Sequence, residues 1–132
     1  KSLKERKIVS FEETGDGSVK ITLTQDGKKL AERYKLEEMR LKKPQKWDGK
    51  WRILIYDIPN TIKKAGDAFR HKVKELGLHP LQKSVWVSPY DCLSEIEFLC
   101  DVFDINRERH ICYFKTPEIP KEKELKTKFN LI

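Results

Sequence analysis

The stretch WRILIYDIPN, Trp51 to Asn60, decides how this chain is read. Its first six residues read as a buried strand, and from Ile53 to Ile58 the apolar run is broken only by Asp57, as in a central strand covered by helices. Asp57 stands just before an Ile-Pro step, where a new element begins. A carboxylate there has two readings. It is a metal-binding catalytic acid, or it stabilises the start of the next helix, where orphan N–H groups and the positive end of the helix dipole attract negative charge. The first reading makes the chain a nuclease; the second leaves a binding module. No other carboxylate in the chain stands at ligand spacing to Asp57, so a magnesium site would have to be shared between two chains.

Working outward, Pro59-Asn60-Thr61 opens a helix in which Ile62, Ala65, Phe69, Val73 and Leu76 recur at three- and four-residue spacing, and Gly77 closes it. LHPLQKSVWVSPY, Leu78 to Tyr90, gives two short strands joined tightly around Gln82 to Ser84. Asp91 or Ser94 opens a second helix with Cys92, Ile96, Leu99 and Phe103 facing inward. RHICYFKT, Arg109 to Thr116, is a last strand. The order βαββαβ is the ferredoxin-like arrangement of the α+β class, with both helices on one face of an antiparallel sheet. The tail KEKELKTKFNLI, Lys121 to Ile132, reads as a short helix that packs Leu125, Phe129 and Leu131.

Upstream, Lys7 to Phe11 and Val19 to Thr24 read as strands of a hairpin with its tip near Asp16. Thr24 then caps a helix with Leu30, Ala31 and Tyr34 on one face. Two strands and one short helix bury little alone, so residues 1–40 read as the latter part of a larger unit. RLKKPQKWDGK, Arg40 to Lys50, is a basic connector interrupted by Pro44 and turned at Asp48-Gly49. The expected division is therefore 1–40, a linker at 41–50, a domain at 51–116 and a tail at 117–132. A chain that starts at Lys1 reads as a fragment.

The 132 residues carry a net charge of +7, which favours a polyanionic partner. Residues 1–50 hold 14 Lys/Arg against 9 Asp/Glu, whereas residues 51–132 hold 14 against 12, so the first part is the better phosphate-facing candidate. Three cysteines without a CxxC pair argue against a disulfide framework and for a reducing, cytoplasmic setting. Three widely spaced histidines argue against zinc, and His71, His79 and His110 have no partners by spacing. No apolar run approaches the ~18 residues of a membrane span.

KWDGKWRILIYDIP followed by LGLHPLQKSVWVSPYD resembles the central domain of the PaaX family of transcriptional repressors. That domain is similar in turn to Cas2, the small CRISPR-associated endonuclease of ferredoxin-like fold. The resemblance covers roughly residues 46–116. On it, residues 1–40 look like the end of a winged helix-turn-helix, with Lys1, Lys4, Arg6, Lys7 and Lys20 facing phosphates. The resemblance implies a DNA-binding regulator, a homodimer with no cofactor and no membrane association. Trp86 reads as a core or dimer-interface anchor, with Val87 beside it at the interface. The Cas2 alternative makes Asp57 both catalytic residue and shared magnesium ligand, and adds an integrase subunit as partner. A third reading is a dimeric scaffold that binds nucleic acid without sequence preference. The charged faces of the two helices, Lys63, Lys64, Arg70, Lys72 and Lys74 on one and Asp91, Glu95, Glu97 and Asp101 on the other, meet a sister chain or simply solvent. Cys92 and Cys100 read as core thiols.

Overall fold

The structure, a computed structural model, describes residues 9–13, 19–23 and 35–131. The chain divides into two compact units, Lys1–Met39 and Arg40–Ile132. In the first, β1 (Val9–Glu13) pairs antiparallel with β2 (Val19–Leu23), in a register that sets Phe11 opposite Ile21 and Glu12 opposite Lys20. Residues 35–38 are helical. The hairpin tip and the helix start expected at Thr24 lie outside the described residues.

The second unit is α+β, a four-stranded antiparallel sheet with helices. Its sheet holds β3 (Trp51–Tyr56), β4 (His79–Gln82), β5 (Val85–Ser88) and β6 (Ile111–Thr116) in the order β4-β5-β3-β6. Between β3 and β4 lies α1 (Lys63–Glu75), entered through a 3-10 turn at Asn60–Ile62. Gly77, at φ +99°, turns the chain out of α1 in a conformation that costs other residues strain. Between β5 and β6 lie α2 (Leu93–Phe103) and a single helical turn, α3 (Arg107–His110). The last element is α4 (Glu122–Lys128).

Strand alternation divides the core in two. Tyr56 meets Phe69 of α1 edge to face at 5.4 Å between ring centroids, and Trp86 Nε1 donates to the Tyr56 hydroxyl at 3.3 Å. Leu54, in register with Trp86, shares that helix-covered face. The intervening residues Trp51, Ile53 and Val87 point the other way and form a second core with Leu125 of α4. Phe129, Leu131 and Ile119 pack onto it, and Trp51 Nε1 donates to Glu122 Oε1 at 3.1 Å. The tail thus covers part of the sheet face that α1 and α2 leave open.

Four local readings change. The helix after β3 has no side-chain cap, because Pro59 is extended (φ −68°, ψ 154°) and a 3-10 turn intervenes before Lys63. Of the two residues expected to open α2, Ser94 drops out, and Asp91 accepts the Leu93 N–H at 3.2 Å through Oδ1. Arg109 and His110 belong to α3 rather than to β6, because Asn106 Oδ1 caps the turn by accepting the Arg109 N–H at 3.2 Å. The segment expected as a linker, 41–50, falls within the second unit. Trp47 and Trp51 stack edge to face at 4.9 Å, and Trp47 Nε1 donates to the Lys50 carbonyl at 2.9 Å.

Leu125 is the deepest apolar contact of the tail, at 2 % exposure. Leu125→Ala is expected to destabilise the second unit by about 2–5 kcal/mol, the range for a buried Leu-to-Ala change. Urea denaturation followed by tryptophan fluorescence measures this, since Trp51 lines the same core.

Candidate functional site

The second unit closes around one buried cation. Arg52 lies on β3 at 7 % exposure, between the core residues Trp51 and Ile53. Its guanidinium forms a two-pronged pair with Asp48, Nη1 to Oδ1 at 2.9 Å and Nη2 to Oδ2 at 2.8 Å. Nη1 also donates to the Lys50 carbonyl at 2.9 Å and to the Pro89 carbonyl at 2.8 Å. One side chain therefore joins the connector, the central strand and the loop after β5. The arrangement suits a planar donor fork and would not suit lysine. Burial works to lower the Arg52 pKa, but Asp48 outweighs it and raises it further. The same hydrogen bond holds the Asp48 carboxyl below its usual range.

Beside this clamp is a second polar group. The Tyr113 hydroxyl donates to Asp91 Oδ1 at 2.9 Å and accepts the Cys92 N–H at 3.0 Å, tying β6 to the start of α2. Burial tends to raise the Asp91 pKa, and the Leu93 N–H and Tyr113 hydroxyl more than offset it, leaving the carboxyl lowered. Burial pushes the Tyr113 phenol up. It also pushes the Cys92 thiol up to about 12 and the Cys100 thiol up to about 11, so both stay protonated and are poor nucleophiles. A cleft of about 510 Å³ lies over the clamp, lined by Lys43, Lys46, Trp47, Arg52, Tyr90 and Glu95 among others.

Asp57 is exposed at the end of β3. Its N–H donates to the His110 carbonyl at 2.8 Å. Its side chain caps neither the 3-10 turn nor α1, so the helix-cap role expected for it is corrected. Among the described residues no three His, Cys, Asp or Glu side chains cluster as a metal site. A single exposed carboxylate does not fit a magnesium site within one chain.

The other expected site residues fall as follows. Trp86 and Val87, expected at a dimer interface, are buried inside the single chain at 4 % and 0 % exposure, Trp86 under α1 and Val87 under the tail. Little of either side chain is exposed in the single chain. Lys1, Lys4, Arg6 and Lys7 lie outside the described residues. Lys20 lies on β2, opposite Glu12. Two histidines expected to lack partners gain them. His71 Nε2 stands 3.6 Å from Glu75, and His79 Nδ1 stands 2.8 Å from Lys128 Nζ on the tail helix. Burial and then Lys128 lower the His79 pKa, which suits a neutral ring accepting from the ammonium.

The family model for the PaaX protein central Cas2-like domain matches residues 44–126. The chain belongs to the PaaX family. No curated protein matches it. The matched segment begins just before the Trp47–Asp48 turn and ends within α4, so the PaaX central domain takes in both partners of the Arg52 clamp and the Leu125 anchor. Arg52 was absent from the sequence-derived site. The available signal was an arginine inside an apolar strand with an aspartate four residues before it.

Two outcomes are expected. Asp57→Asn and Asp57→Ala should each change stability by no more than about 0.5 kcal/mol, as for an exposed side chain without a structural bond; thermal melts of both variants check this. Asp48 and Asp91 have depressed folded pKa values, so the stability they contribute is present above the unfolded carboxylate pKa, about 3.9, and is lost as pH falls through the folded values. Acid titration of unfolding should therefore show a loss below about pH 4. In Asp48→Asn that loss should be shallower, from a lower starting stability.

Proposed function

We propose that the chain is the DNA-binding and dimerising part of a PaaX-type transcriptional regulator. The family match over residues 44–126 carries this reading, because PaaX proteins are transcriptional regulators. The strand order β4-β5-β3-β6, with α1 and α2 as the two connections, supports a ferredoxin-like reading of the second unit. The β1–β2 hairpin and the helical residues that follow support reading the first unit as the wing end of a winged helix. On that reading Lys1, Lys4, Arg6, Lys7 and Lys20 hold phosphates and set register, while bases are read by a recognition helix. Among the described residues no helix is long and apolar enough to cross a membrane. The thiols Cys92, Cys100 and Cys112 are free, which suits a reducing cytoplasm.

The two sheet edges differ in a way that bears on dimerisation. β4 carries Pro80 and a register irregularity between Pro80 and Gln82, features that blunt an edge. β6 has neither. It runs regularly against β3 for six residues, and it carries the exposed Cys112 and Phe114, the latter 44 % exposed. A long regular edge bearing an exposed aromatic ring is a template for pairing with another chain. We therefore place the homodimer contact at β6 rather than at Trp86 and Val87. A paired regulator of this kind requires two half-sites in its DNA.

Sedimentation equilibrium of the full chain should give a dimer at tens of micromolar. Phe114→Glu should raise the dimer dissociation constant at least about tenfold, the effect of removing a central aromatic anchor, without lowering the melting temperature of the monomer. A wild-type chain that sediments as a monomer contradicts the reading.

A further inference from the structure

Helix α1 carries Lys63, Asp67, Arg70 and Lys74 at spacings of four, three and four residues, which sets all four on one stripe. Across from the stripe stands the two-residue β4–β5 turn, Lys83 and Ser84, held to the sheet by the Tyr56 N–H, which donates to the Ser84 carbonyl at 3.2 Å. Between helix and turn lies an open cleft of about 840 Å³, its walls including Arg70, His71, Lys74, Gln82 and Lys83. A smaller recess of about 130 Å³ continues toward the start of the helix, past Asn60, Lys63 and Ser84. Asp67, Arg70 and Lys83 line both, so the two form one groove along α1. Gly66 lies in its wall. A side chain there would start 3.1 Å from Ile58 Cγ2, so the helix sits close against the strand exit.

The groove is electrostatically one-sided. Asp67 is the one carboxylate among its lining residues. It stands 3.0 Å from Lys63 and 3.8 Å from Arg70, and both of those side chains are more than half exposed. Glu75, the other acid on α1, pairs with Lys72 at 3.0 Å and His71 at 3.6 Å and is not a lining residue. Among the described residues no carboxylate pairs with Lys74 or Lys83. Four cations thus face one acid across a concave surface, which focuses the field on whatever enters.

We propose that this groove is a contact site for the phosphate backbone of nucleic acid, through which the second unit holds DNA without reading its sequence. The stripe from Lys63 to Lys74 runs roughly 16 Å at 1.5 Å per residue. Successive phosphates of one strand lie farther apart along the backbone than their axial rise of about 3.4 Å, so the groove spans roughly two or three of them. Arg70 presents a fork that grips a phosphate with two hydrogen bonds, and Lys63, Lys74 and Lys83 supply point charges on either side. Asn60, Gln82 and Ser84 add neutral hydrogen-bonding groups, which serve phosphate and sugar oxygens. Contacts of these groups to phosphate and sugar fix position and carry no base information. The inference rests on DNA being the partner and adds to it a site outside the wing.

The test uses the full chain and a labelled duplex of arbitrary sequence, titrated between 50 and 200 mM salt. In Arg70→Gln/Lys74→Gln/Lys83→Gln the slope of log affinity against log salt should fall by roughly 2.7, about 0.9 for each phosphate left unneutralised. The affinity at low salt should drop at least tenfold, with an unchanged melting temperature. Lys50→Gln/Lys115→Gln/Lys123→Gln removes the same charge elsewhere on the unit and should leave the slope near wild type. Equal slopes in the two triple variants overturn the groove as a site. Lys4→Gln/Lys7→Gln/Lys20→Gln separates the groove from the wing. Loss in that variant alone discards the groove and leaves the regulator standing; no binding by wild type discards both. If polyglutamate displaces the duplex from the groove as well as unlabelled DNA does, an acidic peptide is the occupant and the nucleic-acid assignment is wrong.

Discussion

Arg52 is the constraint on which the second unit depends. A guanidinium in the central strand of a sheet must be paired, because an unpaired buried charge costs several kcal/mol. Here the partners come from three places: Asp48 and the Lys50 carbonyl before the strand, and the Pro89 carbonyl after β5. Pairing its two Nη groups, while Nε stays buried without a partner, therefore fixes the path of the chain on both sides of the sheet end. The connector is drawn in as part of the unit, and Trp47 is delivered onto Trp51. The tail completes this corner from the other face, with Phe129 6.4 Å from the Trp51 ring and Lys126 5.9 Å from the Trp47 ring.

That closure determines what is left for function. α1 and α2 occupy one face of the sheet, and the tail occupies part of the other. Among the accessible features are the regular edge at β6 with Phe114, the basic groove between α1 and the β4–β5 turn, the cleft over the Arg52 clamp and the carboxylate of Asp57. The edge and the groove lie on opposite margins of the sheet, since β4 and β6 are its two outer strands. Pairing through one margin leaves the other free, so a dimer contact and a phosphate contact are compatible within one domain.

Much of the architecture was legible because it rests on local periodicity. The apolar run from Ile53 to Tyr56 marks a strand, and Phe69 and Val73 recur as a helix face and are fully buried. The misreadings share a physical origin: each involves a contact distant in sequence or a shift at an element boundary. Arg52 was not singled out, because the Pro89 carbonyl that helps bury it lies 37 positions away. Asp57 looked like a helix cap, but the extended Pro59 and the 3-10 turn start α1 only at Lys63, beyond its reach. Trp86 and Val87 looked available to a partner. Neighbours on a strand face opposite ways, and both faces are covered here, one by α1 and the other by Leu125. His79 lacked a visible partner because Lys128 is 49 residues on.

On this proposal the PaaX-family chain is a binding protein whose second unit would pair two copies and help hold their DNA. The Cas2 likeness extends to the matched central domain and to a carboxylate at the end of the central strand, with no cluster of further ligands beside it among the described residues. Native mass spectrometry of the full chain, mixed with a duplex carrying its DNA site and with magnesium present, tests this most directly. The account predicts two chains on one intact duplex. A single chain per duplex, or cleaved strands whose production disappears in Asp57→Asn, would contradict it.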